Sequence, residues 1–252
     1  MGPILQVKNL SKNYGGVQAV DRVSFTVERG SITGLIGPNG AGKSTALNVI
    51  GGLLPPAGGS VVFDGVDVTG QPMHRLARHG LVRTFQLARV FGNLTAIENL
   101  LVAAPAHRGD SPFGILAGKR YWGQQERQLV EQARTLLASF GMTGKEDEYA
   151  RNLSGGQKRA VETMRALMMK PKLLLLDEPM AGLSPSLSRQ LEDMFLQLSA
   201  GGLSLLLVEH GLDTVERICG KVVVMAQGKV LSEGRMAELR TRREVQDAYV
   251  IG

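Results

Sequence analysis

Asp177-Glu178 closes an apolar run, Leu173-Leu174-Leu175-Leu176, a pairing suited to holding a cation and polarising a water beside it. Far upstream, residues 37–44 read Gly-Pro-Asn-Gly-Ala-Gly-Lys-Ser and are followed by Thr45, an unbroken match to G-x-x-x-x-G-K-[ST]. Glycines at 37, 40 and 42 permit backbone conformations that a Cβ would forbid. The loop's N–H groups can then converge on phosphate oxygens, helped by the positive end of the helix that follows. Lys43 is placed to reach β- and γ-phosphates, and the Ser44 hydroxyl to ligate Mg²⁺. Between these motifs lies Leu153-Ser154-Gly155-Gly156-Gln157. Ser154 is a suitable N-cap, and the two glycines leave N–H groups exposed at a helix start, so the loop reads either as a capped helix entry or as a second anion-binding terminus.

The elements that position these groups follow from hydrophobic pattern. Residues 31–36 read as a short buried strand and residues 46–50 as the start of a helix. The run 173–176 is too short for a bilayer, which needs about 20 apolar residues. It suits a central parallel strand covered on both faces. Asp177 then emerges at the carboxyl end, where ligands gather in open α/β sheets, with Glu178 one residue further out. Residues 204–208 form another such strand, leading to His210. Residues 4–10 and 20–27 alternate as antiparallel strands do, and residues 61–68 fold back about Asp64-Gly65. From about 86 to 170 the pattern is largely helical, including 158–169. Residues 222–225 and 229–231 make a hairpin about Gln227-Gly228, with two short basic helices after it. Strands alternating with helices place the chain in the α/β class.

Composition narrows the partners. Apolar content is 43% of 252 residues, ordinary for a packed domain, and the net charge of +6 fits phosphate ligands or an anionic membrane surface as well as nucleic acid. No DNA- or RNA-reading motif is visible. Cys219 is the sole cysteine, which excludes an internal disulfide and fits a reducing compartment. The start, Met1-Gly-Pro-Ile-Leu-Gln-Val, lacks the basic region and apolar core of a signal peptide. Arg235, Arg240, Arg242 and Arg243 read as a solvated helix face. Residues 104–125, rich in proline and glycine and carrying Phe113, Tyr121 and Trp122, read as a long loop or broken helix, either a surface insertion or a docking element.

Taken together, the motifs carry a resemblance. The chain resembles the ATP-binding subunits of ABC transporters: 153–157 matches that family's signature loop letter for letter, and Asp177-Glu178-Pro179 accompanies it. The resemblance implies a P-loop NTPase core with a mostly parallel sheet and an N-terminal antiparallel β-subdomain (1–85 and 171–225). It also implies a helical signature subdomain (86–170) and a C-terminal hairpin with basic helices (226–252). It implies ATP and Mg²⁺ as ligands. Gly37, Pro38, Asn39, Gly40, Ala41, Gly42, Lys43, Ser44 and Thr45 would cradle phosphates, and Tyr14 would stack on adenine. Ser44, Gln86 and Asp177 would hold the metal, Glu178 would activate water, His210 would sit at the γ-phosphate, and Gln86 would also act with Glu178 and His210 in catalysis and link the core to the helical subdomain. Ser154, Gly155, Gly156 and Gln157 would face a nucleotide held by a second subunit. Ser184 departs from the pattern, because many relatives carry Asp there.

Residues 80–103, 35–40, 71–78 and 245–250 are similar to the longer ATPase subunit of bacterial branched-chain amino acid importers. That similarity implies a second ATPase subunit, identical or related, and membrane permease subunits as partners, with a periplasmic binding protein acting indirectly and no nucleic acid. It places the chain on the cytoplasmic face of the inner membrane. Importers of urea and amides have closely similar ATPases, so other cargoes, export included, stay open on sequence alone. An ATPase of the DNA-repair type would need a long coiled-coil insertion, which is not present, and a nucleotide kinase has no use for the signature loop.

Overall fold

Two hairpins show how local chemistry shapes the first sheet. Tyr14 and Val17 flank a Gly15-Gly16 turn that joins β1 (Leu5–Tyr14) to β2 (Val17–Val27). Asp64 (φ 51°) and Gly65 (φ 81°) join β4 (Gly58–Phe63) to β5 (Val66–Asp67), the two positive φ angles of the tight turn that matches strand twist. These strands form an antiparallel sheet in the order β2-β1-β4-β5. β1 and β2 run further than their alternation indicates, because pairing continues through several register shifts to the glycine turn.

The structure is a computed structural model that describes residues 2–84, 90–104 and 119–251. The second sheet has the order β10-β9-β3-β8-β7-β6. Its strands are β3 (Ile32–Ile36), β6 (Leu81–Arg83), β7 (Leu173–Asp177), β8 (Ser204–Val208), β9 (Lys221–Ala226) and β10 (Lys229–Gly234). All neighbours are parallel except the β9–β10 hairpin, whose turn again has two positive φ angles, at Gln227 and Gly228. Every residue of β3, β7 and β8 is buried, as befits parallel strands covered on both faces. Both sheets and helix α1 (Lys43–Ile50) share one apolar core that includes Leu5, Phe25, Leu47, Phe63, Leu175 and Leu206.

The described helices, after α1, are α2 (Met73–His79), α3 (Ala96–Leu101), α4 (Lys119–Ser139), α5 (Gly155–Met168), α6 (Pro185–Ala200), α7 (Leu212–Ile218), α8 (Met236–Leu239) and α9 (Arg243–Ile251). α4 differs from the sequence expectation. It begins inside the stretch read as loop or broken helix and carries Gly123 in its interior, sustained by the Gln, Glu and Arg helix formers that follow. The chain folds as two compact units. The larger is Met1–Gln86, Lys172–Ala181 and Glu192–Gly252; the smaller is Leu87–Pro171 and Gly182–Leu191. In the smaller unit, fully buried Asn99 ties residues 91–95 to α3. Its side chain accepts from Phe91 N–H and donates to the carbonyls of Phe91, Leu94 and Thr95. Among the described residues no helix is long and apolar enough to cross a membrane.

Candidate nucleotide site

In the larger unit, the loop from β3 into α1 is glycine-rich for steric reasons. Gly37 (φ 148°) and Gly42 (φ 94°) lie in backbone regions that disfavour side chains. A Cβ on Gly37 would stand 2.0 Å from the Met225 carbonyl oxygen, and one on Gly42 2.3 Å from that of Ala19. Gly40 (φ 77°) meets nothing within 4 Å, so at that point the loop is an open cradle. Asn39 and Gly40 are exposed, whereas Ala41 is buried and its carbonyl accepts from Gly228 N–H. Ala46 N–H donates to the Gly42 carbonyl at 2.8 Å. The N–H groups of Lys43, Ser44 and Thr45 are thus in the first turn, where a helix has no internal acceptors to offer. Lys43 is 5% exposed and folds back over the loop, donating to the carbonyls of Gly37 (2.7 Å) and Pro38 (2.9 Å). Burial lowers its pKa, opposed by Glu178 and Asp177.

Asp177 ends β7 beside this loop. Its Oδ1 accepts from Ser44 Oγ at 3.5 Å and its Oδ2 from Arg83 Nη2 at 3.1 Å. Burial pushes its pKa up; Arg83 pulls it down, Glu178 adds to the rise, and Ser44 helps Arg83. A hydroxyl and a carboxylate are the hard oxygen donors that Mg²⁺ takes, with phosphates and waters completing its shell. Among the described residues no group of three His, Cys, Asp or Glu forms a metal cage. The donor set therefore fits a cation brought in with a phosphate ligand, and the open loop at Gly40 fits the phosphate.

Glu178 has φ 48°, an unfavourable conformation for a residue with a side chain. Its N–H donates to the Val208 carbonyl (2.9 Å), which pins it to the end of β8, and its Oε1 lies 3.0 Å from His210 Nε2. Glu178 is half-sheltered and His210 open to solvent, so the pair sits at the mouth of the site. Glu209 links the turns after β7 and β8: buried to 5% exposure, it accepts from Met180 N–H (2.9 Å) and His210 N–H (3.2 Å). Burial raises its pKa, and those two bonds oppose the rise. Tyr14, 47% exposed at the first hairpin, has Lys12 Nζ 5.7 Å from its ring centroid.

The smaller unit holds the second loop. Ser154 caps α5: its Oγ accepts from Gln157 N–H (3.2 Å), and Gln157 Oε1 accepts from Ser154 N–H (2.9 Å). This capping box occupies the Gln157 side chain, and Ser154-Gly155-Gly156-Gln157 has the S-x-x-Q spacing of that motif. Gly155 is exposed with nothing within 4 Å of a would-be Cβ, whereas at Gly156 a Cβ would stand 2.8 Å from Leu187 Cδ2. Ser184 precedes Pro185 at the first turn of α6, and its Oγ accepts from Leu187 N–H at 3.4 Å. Serine at this position keeps a helix cap.

Gln86 lies outside the described residues, as does the core of the 104–125 insertion. Of the C-terminal arginines, Arg240 and Arg242 are tied to other elements, whereas Arg243 is a solvated helix residue. Arg240 pairs with Asp213 and Glu216, Arg242 donates to Ser232 and Arg243 lies 3.8 Å from Asp247. Arg83, Asn48 and Glu209 were not singled out in the sequence. The one signal for Arg83 was a charge ending the otherwise apolar triplet Leu81-Val82-Arg83.

The family described as "ABC transporter" matches residues 20–181. The chain is 41% identical to a probable branched-chain amino acid transport ATP-binding protein LivG of Archaeoglobus fulgidus, over 98% of this chain and 95% of that one. It is 38% identical to the high-affinity branched-chain amino acid transport ATP-binding protein BraF of Pseudomonas aeruginosa, over 98% of each. Its fold is similar to a crystal structure of the ADP conformation of an ATP-binding cassette of an ABC transporter, with a TM-score of 0.84, 36% identity and 99% of each chain covered.

Proposed function

The chain belongs to the ABC transporter family, and from that premise we propose that it is the ATP-hydrolysing subunit of an importer of branched-chain amino acids. One observation carries the chemical part. The phosphate loop, Asp177 and the Glu178–His210 pair meet at the carboxyl ends of adjacent parallel strands, with Ser44 and Asp177 3.5 Å apart. The cargo rests on the relatives named for branched-chain amino acid transport.

Lys43 leaves its two loop carbonyls for the β- and γ-phosphates of ATP, and the first-turn N–H groups of α1 bind the remaining oxygens. Ser44 and Asp177, with Gln86, hold Mg²⁺, which when bound neutralises phosphate charge. Glu178 accepts a proton from the attacking water, and His210 orients Glu178 and faces the γ-phosphate. Tyr14 stacks on the adenine. Two ATPase subunits, identical or related, face head to tail, so that Ser154, Gly155 and Gly156 of one present N–H groups to the nucleotide of the other. Nucleotide touching both faces favours closure through its differential affinity for the closed state. Closure acts on permease subunits at the cytoplasmic face of the membrane, where this chain binds peripherally.

Two measurements separate chemistry from cargo. Gly155→Asp puts an anion at the trans face and is expected to abolish ATP-driven dimerisation; an undiminished dimer in size-exclusion runs with ATP defeats the trans arrangement. Transport is tested by reconstituting the subunit with its permease and binding protein in vesicles. Uptake of labelled leucine, isoleucine or valine is expected, and uptake of urea or amides alone overturns the cargo assignment.

A further inference from the structure

Arg83 is the last residue of edge strand β6, and it does not face solvent. Its side chain is 4% exposed and that of its partner Asp177 3%. It pairs in register with Leu175 of β7, and Thr84 N–H donates to the Leu175 carbonyl at 3.0 Å, which fixes the end of β6 against β7. From there the guanidinium forks. Nη2 donates to Asp177 Oδ2 at 3.1 Å, and Nη1 donates to Asn48 Oδ1 on α1. The fork needs room beside α1, and Gly51 leaves it: a Cβ there would stand 2.9 Å from Arg83 Cδ.

The geometry is a closed circuit. Asn48 lies four residues after Ser44, on the same face of α1. Ser44 meets Asp177 Oδ1, Asp177 Oδ2 meets Arg83, and Arg83 returns to Asn48. Stability alone is a poor reason for the arrangement. Replacing a buried ion pair with apolar groups of similar volume is often neutral or stabilising, and here Arg83 Nε is buried with no hydrogen-bond partner among the described residues. What the fork supplies, and a point charge does not, is a fixed angle between two acceptors on different elements.

We propose that Arg83 is a positioning residue for cation binding: by holding Asp177 Oδ2 and Asn48 at once, it sets Asp177 Oδ1 and the Ser44 hydroxyl at the separation the cation needs. The inference rests on the reading of Ser44 and Asp177 as cation ligands. Its test is binding of a fluorescent ATP analogue to the purified full chain, titrated with Mg²⁺ and repeated in EDTA, for wild type, Arg83→Met, Arg83→Lys and Asn48→Ala. Residues that orient metal ligands typically contribute 10- to 100-fold in affinity, so Arg83→Met is expected to raise the Mg²⁺ needed for half-maximal binding by about that factor. Affinity in EDTA stays unchanged, Arg83→Lys recovers part of the loss, and Asn48→Ala shows a smaller rise of the same kind. An unchanged or lower Mg²⁺ requirement in Arg83→Met overturns the proposal, as does an equal weakening with and without Mg²⁺. Should the Arg83 variants fail to fold, Asn48→Ala decides by the same two readouts, a rise confined to Mg²⁺ supporting the proposal and its absence overturning it. A wild-type chain that binds the analogue without any Mg²⁺ dependence overturns the ligand reading itself, and this inference with it.

Discussion

In the larger unit, the candidate nucleotide site draws on segments more than 170 residues apart in sequence, from Gly37 to His210. In the smaller unit, the Ser154 loop is built from four consecutive residues and a capping box closed within them. The first construction hides its charges. Lys43, Arg83, Asp177 and Glu209 are all nearly excluded from water; Arg83, Asp177 and Glu209 are held by partners on other elements, and Lys43 by carbonyls of its own loop. The second displays its backbone, with Ser154 and Gly155 exposed. The difference teaches that a candidate ligand loop can be assembled by long-range packing or by a local helix terminus. The two should therefore fail differently when altered.

The largest effect expected is on chemistry. Glu178→Gln keeps the side chain's shape and removes the carboxylate proposed as base, so turnover of the assembled complex should fall by about 10²- to 10⁴-fold while MgATP affinity is retained; unchanged steady-state hydrolysis would remove Glu178 from that role. Next comes Gly37→Ala. Strain at this φ and a 2.0 Å approach to the Met225 carbonyl each cost about 1–3 kcal/mol, so a loss of several kcal/mol is expected in denaturant melts. The matching change in the local loop, Gly155→Ala, meets nothing within 4 Å and should leave folding stability nearly unaltered. Equal costs at the two glycines would erase the contrast. Ser154→Ala removes a cap and should cost about 1 kcal/mol by the same melts.

The smallest effect is a slope. Burial raises the Glu209 pKa above that of an unfolded glutamate, so the folded state holds its proton to higher pH. Its contribution to stability is then complete below the unfolded pKa and is lost as pH rises through the raised folded value. Glu209→Gln, which cannot ionise, should flatten that part of the stability–pH curve. A curve of unchanged shape would mean that Glu209 does not titrate differently in the two states.

Much of the outline was legible in the motifs. Leu173–Asp177 and Ser204–Val208 read as buried strands because every residue is apolar or terminal, and two of the three hairpin turns described were marked in the sequence, Asp64-Gly65 and Gln227-Gly228, each with two positive φ angles. Arg83 was not legible, because nothing in Leu-Val-Arg says that the arginine turns inward; that depends on Asn48, Gly51 and Asp177 arriving around it. Glu209 was hidden for the same reason. It reads as one polar residue beside His210, and one of the N–H groups it accepts from, that of Met180, comes from another turn. The helical entry at Lys119 was missed because glycine and proline counts in 104–125 outweighed the helix formers at its end.

Sequence by itself determined the chemistry available: a glycine loop that only certain φ angles can close, an Asp-Glu pair at the end of an apolar run, and a serine-capped helix start. These are local properties, set by side-chain sterics and hydrogen-bonding capacity over a few residues. Tertiary structure alone decided which oxygen of Asp177 faces Ser44 and that Arg83 is buried beside the site. Those outcomes depend on partners far away in the chain, and burial gives such contacts their strength by excluding the water that would otherwise compete for them.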